Sequence, residues 1–449
     1  MNNLTVLKNI FTKKSGFNFF KFGLLTLPSL PLLGSILLFI AAIIGSQKRS
    51  DYFLKDKYNF PFLLIGILML LSCITQIFIP RDNVYSEWDY SLAFISLFNW
   101  LPFFWVFWSF KTFLINPKER QICTVYFTIG IIPLIFSCIC QYWFEWYGPF
   151  GLFNNLIVWF QKPICSGKVY EECVTGVTGF FNNPNVAGSY FTMIMPFTIA
   201  LLINKFKRLS NSKYLYLSIF ISIIFFTFLT NSRNAWLGMI IIFILFNRFW
   251  LSIFLLFILF ALFPIIINNF ELFPHEIKDY IFDLIPYTTK QKFSTLSLDL
   301  LNNMHRLTIY KTSLLMIISK PFFGWGASIY PIFYLLRNEE YAGHSHNLFF
   351  ELAINYGLPV SIIFIAFLAF LLKKSIDLNN KNTNKTIQIF DQAWYISTIV
   401  FIISHLFDVQ YFDLRISITF WIVLSGIRAI IFEEEENLKT KDRIIRENS

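Results

Sequence analysis

Long apolar runs separated by short polar breaks dominate the chain. A helix that spans a bilayer needs about 20 mostly apolar residues. Runs near that length occupy 60–79, 91–110, 122–143, 186–203 and 214–230, then 235–246, 249–268, 348–372, 394–407 and 416–432. The run 19–45 is long for one helix and contains Pro28 and Pro31. Proline removes a backbone donor and kinks or ends a helix, so this run reads as two shorter crossings joined at Pro28–Pro31. The pattern predicts an all-α polytopic membrane protein with about twelve crossings. Residues 1–432 then form a single transmembrane domain, and 433–449, opening on the Glu433–Glu436 run, a solvated cytoplasmic tail.

Composition agrees. Hydrophobic residues make up 56% of the 449, charged residues 14%, and 57 positions are Phe. Soluble chains run nearer 45–50% apolar and 25% charged. Disorder, collagen and a disulfide-stapled secreted scaffold are excluded. The net charge of +10 would suggest a nucleic-acid partner in a soluble protein. Here most Lys and Arg fall in short loops on one side of the predicted layout, as cytoplasmic loops require, so membrane orientation accounts for them and no nucleic acid is implied. Both termini then lie on the cytoplasmic side. The exoplasmic side carries two longer segments, about 144–185 and 269–347, beyond the length at which loops become functional suspects.

Candidate chemistry collects in these segments and at one tight turn. Arg233 lies in Thr230-Asn-Ser-Arg-Asn-Ala-Trp-Leu-Gly238 between two apolar runs. It is either an interfacial arginine reaching headgroups or an anion clamp, since guanidinium offers bidentate donors to phosphate. Arg306, in Asn303-Met-His-Arg306, opens a stretch with helical spacing at Tyr310, Ser313 and Leu314, and reads either as part of a solvated helix face or as an anion clamp. Arg337 precedes Glu339 and Glu340, which could simply pair with it.

Gly343-His-Ser-His-Asn-Leu-Phe-Phe-Glu351 holds two of the five histidines. His344 and His346, two apart, do not share a helical face and make a poor helical metal pair, but a neutral imidazole suits general-base work near pH 7. Glu351 offers an alternative base; helix capping by Ser345 or Asn347 is the bland reading. Gly179-Phe-Phe-Asn-Asn-Pro-Asn-Val-Ala-Gly188 is a helix start in which Asn183 and Asn185 act structurally. Cys165 and Cys173 could close a small exoplasmic disulfide loop. Asp408 and Asp413 bracket the last exoplasmic turn and read as solvated rim residues. Gly324-Trp-Gly326 lacks the third glycine and preceding strand of a dinucleotide loop. No zinc-type spacing, Walker A or Asp-x-Asp motif occurs, so neither metal nor cofactor is expected.

In this order the motifs resemble the O-antigen ligase and polysaccharide polymerase superfamily, and within it the bacterial, particularly cyanobacterial, branch once named for inorganic carbon transport. The resemblance rests on Phe180-Phe-Asn-Asn-Pro-Asn185, the Thr-x-Ser-Arg turn at 230–233, and Arg306 ahead of Pro321-Phe-Phe-Gly-Trp-Gly326. His344-Ser-His-Asn347 leading to Glu351, Tyr356 and Gly357 completes it. It implies a GT-C-like, metal-independent glycosyltransferase of lipopolysaccharide or other envelope polysaccharide synthesis. Such enzymes move a glycan from a polyprenyl diphosphate carrier, such as undecaprenyl diphosphate, to an acceptor hydroxyl of a glycan or lipid on the exoplasmic face. By matched position, Arg233 and Arg306 would hold the diphosphate, and His344 and His346 would act near the acceptor. The competing readings are a transporter of a small anion such as bicarbonate and a non-catalytic assembly partner.

Overall fold

The computed structural model describes residues 12–47, 52–78, 88–146, 148, 150–152, 157–159, 176–246 and 304–448. The described chain is helical apart from a short antiparallel hairpin, β1 (Phe150–Leu152) paired with β2 (Ile157–Trp159). Seven helical stretches among the described residues are long and apolar enough to cross a membrane: Phe60–Phe78, Ser91–Leu114, Pro117–Trp143, Pro184–Lys207, Leu358–Lys381, Lys385–Ser404 and Leu414–Asn437. Pro31–Gln47, Lys213–Leu229 and Arg233–Phe246 are shorter apolar helices. These are fewer than the twelve crossings expected, and the expected crossing 249–268 lies outside the described residues.

The chain divides into two compact units, residues 1–130 with 305–449, and residues 131–304. The first unit begins with α1 (Lys13–Thr26) and α2 (Pro31–Gln47), a helical hairpin broken where Pro28 and Pro31 require it. At 14 residues α1 is about 21 Å long, short of the roughly 30 Å hydrocarbon core. There follow α3 (Phe60–Phe78), α4 (Ser91–Ser96), which runs through a tight turn into α5 (Leu101–Leu114), and α6 (Pro117–Gly130). The core of this unit is aromatic. The Phe62 ring lies 4.8 Å from Phe104, 4.9 Å from Phe367 and 5.2 Å from Trp421, within the range where aromatic pairs add to area burial.

The second unit contains α7 (Ile132–Trp143), the hairpin, α8 (Pro184–Lys207), α9 (Lys213–Leu229) and α10 (Arg233–Phe246). The chain returns to the first unit with α11 (Met304–Ser319) and α12 (Tyr330–Asn338), so the helical spacing after Arg306 is a helix, as expected. Then come α13 (Leu348–Tyr356), α14 (Leu358–Lys381), α15 (Lys385–Ser404) and α16 (Leu414–Asn448).

Two expectations are corrected here. The run 348–372 is two helices, not one. Gly357 has φ +98°, a conformation side-chain-bearing residues rarely adopt, and its place is closed by the Phe322 carbonyl. The freed Leu358 N–H donates to the Pro321 carbonyl at 2.7 Å, so the Pro321–Gly326 segment packs into the break. The acidic run at the start of the expected tail is also not wholly solvated. Helix α16 continues to Asn448, and Glu433 and Glu435 form ion pairs with Arg120 and Lys374.

Candidate functional site

Helix α13 and the turn after α15 together fix the His344–Asn347 segment. Asn347 caps α13, its Oδ1 accepting from Phe349 N at 2.9 Å and Phe350 N at 3.1 Å. Its amide also donates to the Leu406 carbonyl at 3.1 Å, and Leu348 N donates to the His405 carbonyl at 2.9 Å. These bonds seam the segment to the turn after α15, which carries Asp408. Capping and a chemical role are therefore not alternatives: Asn347 does the first and leaves both histidines free for the second.

Glu351, in the first turn of α13, is 6% exposed and faces back into the segment. Its Oε2 accepts from Ser345 N at 3.1 Å and Ser345 Oγ at 2.8 Å. Oε1 accepts from Asn355 Nδ2 at 3.4 Å. A carboxylate so occupied holds the loop in shape. That loop includes a strained residue, His346, at φ +52°, a left-handed conformation costly for a non-glycine residue and typical of functional sites. His346 N–H donates to His344 Nδ1 at 3.2 Å, which supports the strained backbone.

The two imidazoles are 4.3 Å apart and both face Asp408. His346 Nδ1 lies 3.2 Å from Asp408 Oδ1, and His344 Nε2 lies 3.9 Å from the same oxygen. The sequence reading of Asp408 as a solvated rim residue is corrected: its side chain is 13% exposed, because Val409 N–H (2.9 Å) and Gln410 Nε2 (3.2 Å) also reach it. Burial pushes the Asp408 carboxyl up, but the bond from His346 and the two nearby imidazoles outweigh it and hold it down at about 2. Asp408 is thus an anion at neutral pH. Burial, then the neighbouring His346, push the His344 pKa down, against the pull of Asp408 and Glu351. Asp413 ion-pairs with Arg415 at 2.6 Å.

An ionised Asp408 accepts from His346 Nδ1, so the ring proton sits on Nδ1 and the Nε2 lone pair is left to take a proton. The donor atoms of His344, His346 and Asp408 lie within 4.8 Å of one another, close enough to hold a metal ion. The hydrogen bonding opposes it. His344 Nδ1 accepts from a backbone N–H, which places its proton on Nε2, the atom a metal would need bare. The arrangement leaves His346 Nε2 as a proton acceptor.

The arginines are arranged differently. Arg306 in the first turn of α11 and Arg337 in the last turn of α12 are both exposed. Neither pairs with a described residue, so the pairing of Arg337 with Glu339 or Glu340 does not form among them. In the second unit Arg233 begins α10 and is likewise exposed without a described partner, two residues after Asn231 at φ +55°. The turn is set by close packing: Val177 N donates to the Leu229 carbonyl at 3.1 Å, and a Cβ on Gly188 would meet Ala235 at 2.7 Å and Thr230 at 3.0 Å. The motif at 179–188 and the turn at 230–233, distant in sequence, therefore meet within this unit. Asn183 caps α8, accepting from Asn185 N at 2.8 Å.

Sequence reasoning missed Gln141 in α7. Its Oε1 accepts from Thr178 N and Gly179 N at 2.9 and 3.1 Å, and its Nε2 donates to the Gly179 carbonyl at 3.0 Å, anchoring the start of the glycine motif. An amide side chain in a largely apolar helix was the available signal. Cys165 and Cys173 lie outside the described residues. Cys73, Cys123, Cys138 and Cys140 are buried free thiols, as their apolar surroundings predict.

No curated relative matches the chain. A family model described as O-antigen ligase matches residues 217–365, the stretch that contains the 230–233 turn, Arg306 and the whole His344–Glu351 segment. Residues 217–365, about a third of the chain, are thus similar to the O-antigen ligase family.

Proposed function

We propose that the chain is a glycosyltransferase of ligase or polymerase type. It moves a glycan from a polyprenyl diphosphate carrier to an acceptor hydroxyl at the exoplasmic face of the bacterial inner membrane. The observation that carries this reading is the Asp408–His346 pair, which leaves Nε2 of a neutral imidazole as a proton acceptor. Nε2 of His346 takes the acceptor's hydroxyl proton as that oxygen bonds to the anomeric carbon. The bond from that carbon to the diphosphate breaks, and the diphosphate leaves with the electron pair. Asp408 stabilises the imidazolium that forms. Arg306 and Arg337, in the first unit, are cations without described carboxylate partners, suited to the negative charge that grows on the departing diphosphate, and Arg233, in the second unit, is a cation of the same kind. His344 and Glu351 keep His346 in place, the first through its backbone and the second through Ser345.

Purified protein in proteoliposomes, given a labelled lipid-linked donor and an acceptor, tests this. His346→Ala is expected to slow turnover by about 10²–10⁴-fold, the usual contribution of a positioned base, while retaining donor binding. Arg306→Lys is expected to weaken donor binding, since lysine loses the planar fork. Uptake of bicarbonate with no glycan transfer from any donor would overturn the reading.

A further inference from the structure

Beyond the dyad itself, the turn after α15 contains a side chain whose hydrogen bonds have a direction. Gln410 is 4% exposed. Its Nε2 donates to Asp408 Oδ2 at 3.2 Å, and its Oε1 accepts from Ser404 Oγ, the last residue of α15, at 3.4 Å. A carboxylate accepts and cannot donate when ionised, so the Asp408 contact fixes which way round the amide sits. The hydroxyl of Ser404 then has the oxygen to donate to. Gln410 thus links Asp408 to the end of a long helix.

That link has a geometric consequence at the carboxylate. Oδ1 is taken by Val409 N–H and the His346 ring, and Oδ2 by Gln410. With one oxygen tied on each side, the carboxylate plane does not turn, and Oδ1 stays directed at His346. The groups facing Asp408 include His344 and His346 from the segment before α13 and His405 from the end of α15, with Glu351 behind His344.

We propose that Gln410 is a positioning residue: by holding Oδ2 of Asp408 it orients the carboxylate that sets the tautomer and basicity of His346. The proposal rests on the reading of His346 as the proton acceptor. Gln410 does not touch the reacting atoms; it acts through Asp408, as outer hydrogen-bond partners do around other catalytic imidazoles.

Gln410→Met keeps the length and removes the amide; Gln410→Glu keeps the shape but sets a carboxylate against Asp408. For each, kcat and KM are measured across pH with the lipid-linked donor, alone and combined with Asp408→Asn, alongside thermal unfolding. Gln410→Met is expected to lower kcat about 10-fold, the low end for loss of such an outer bond, with donor KM unchanged. The acid limb of the kcat profile should move to lower pH, because a misdirected carboxylate no longer supports the imidazolium. Gln410→Glu should be the more impaired. In the Asp408→Asn background the Gln410 change should have less than about a two-fold effect, since the residue it positions is already gone.

A merely structural Gln410 would give the opposite pattern. Losses would add fully in the double variant, the acid limb would stay in place, and thermal stability would fall in step with activity. NMR titration of ring-labelled histidine reads the same coupling without turnover. If the wild-type protein transferred glycan from no donor, the transferase reading would fail, yet an altered His346 titration in Gln410→Met would still uphold the positioning role. An unaltered titration would refute it.

Discussion

Helix α15 has a charged cluster at each end, and the two are built to opposite rules. Near its start, Asp391 meets Arg120, whose side chain is fully buried. Arg120 Nε and NH2 donate to the two Asp391 oxygens at 2.8 and 3.0 Å, NH2 also to Glu433 at 2.7 Å, and NH1 to the Leu114 and Ile115 carbonyls at 2.9 and 2.8 Å. Every nitrogen of the guanidinium is engaged, and the cluster ties α6, α15 and α16 together. Beyond the other end, Asp408 and the two histidines are also bonded to one another, but His346 Nε2 has its lone pair open and both rings are about 30% exposed. A closed set of buried charges fixes helices; a set closed on all sides but one can do chemistry.

Arg120→Ala should break this comparison most visibly. It leaves Asp391 buried without its counter-charge, which costs about 3–5 kcal/mol for a buried pair cut on one side. That is a large part of the stability of a domain. The expected outcome is a chain that fails to give a single sharp peak on size-exclusion chromatography in detergent. Arg120→Met with Asp391→Leu removes both charges and should recover a good part of the loss, because apolar replacement of a whole pair is often neutral. If Arg120→Ala purifies with wild-type yield and stability, the cluster is not what holds these helices.

Asp408→Asn probes the open cluster, and there the effect should fall on rate rather than fold. Asparagine cannot remain an anion, so the proton on His346 is no longer held at Nδ1 and the imidazolium loses its counter-charge. Turnover is expected to fall by about 10²-fold, with the thermal midpoint near that of the wild type. A variant with normal turnover would remove Asp408 from the mechanism. One that loses stability as Arg120→Ala does would make the two clusters alike.

The two clusters also differ in how far they were legible in the sequence. Most of the described apolar runs, the Pro28–Pro31 break and the cap at Asn183 follow from period, length and local chemistry and appear where expected, while the run 348–372 does not. The histidines were visible because His is scarce and two lie one residue apart. Asp408 was not, since it is 62 positions from His346 and only the seam through Asn347 and Leu348 brings it near. Arg120, Lys111 and Arg428 read as loop cations on the cytoplasmic side, yet each is almost wholly buried. A sequence window assigns a lone charge at a helix end to solvent, whereas its actual partner sits on another helix. The break at Gly357 was missed for a related reason: a single glycine inside a hydrophobic run leaves hydropathy almost unchanged.

The smallest expected effect is the acid dependence of stability, and it separates the clusters by window rather than size. Asp56, in the loop before α3, is raised by burial but held well below the usual carboxylate range by Arg428 and Lys111, which lie 3.1 and 3.0 Å away. Asp408 is held at about 2. A carboxylate with a depressed folded pKa contributes stability that is complete above its unfolded value, about 3.9, and is lost only as pH falls further. Neither residue should therefore matter between pH 7 and 5. His344 behaves otherwise. Its folded pKa lies below the ordinary 6.5 or so, so the unfolded chain binds the proton more readily, and stability declines as pH drops through that unfolded value. Tryptophan-monitored melting between pH 7 and 5 should show a shallow loss in the wild type and a shallower one in His344→Asn. Equal slopes would mean that the histidine segment is not the acid-sensitive part of the fold. A steep loss in this range that Asp56→Asn abolished would place the sensitivity at the buried Asp56–Lys111–Arg428 group instead.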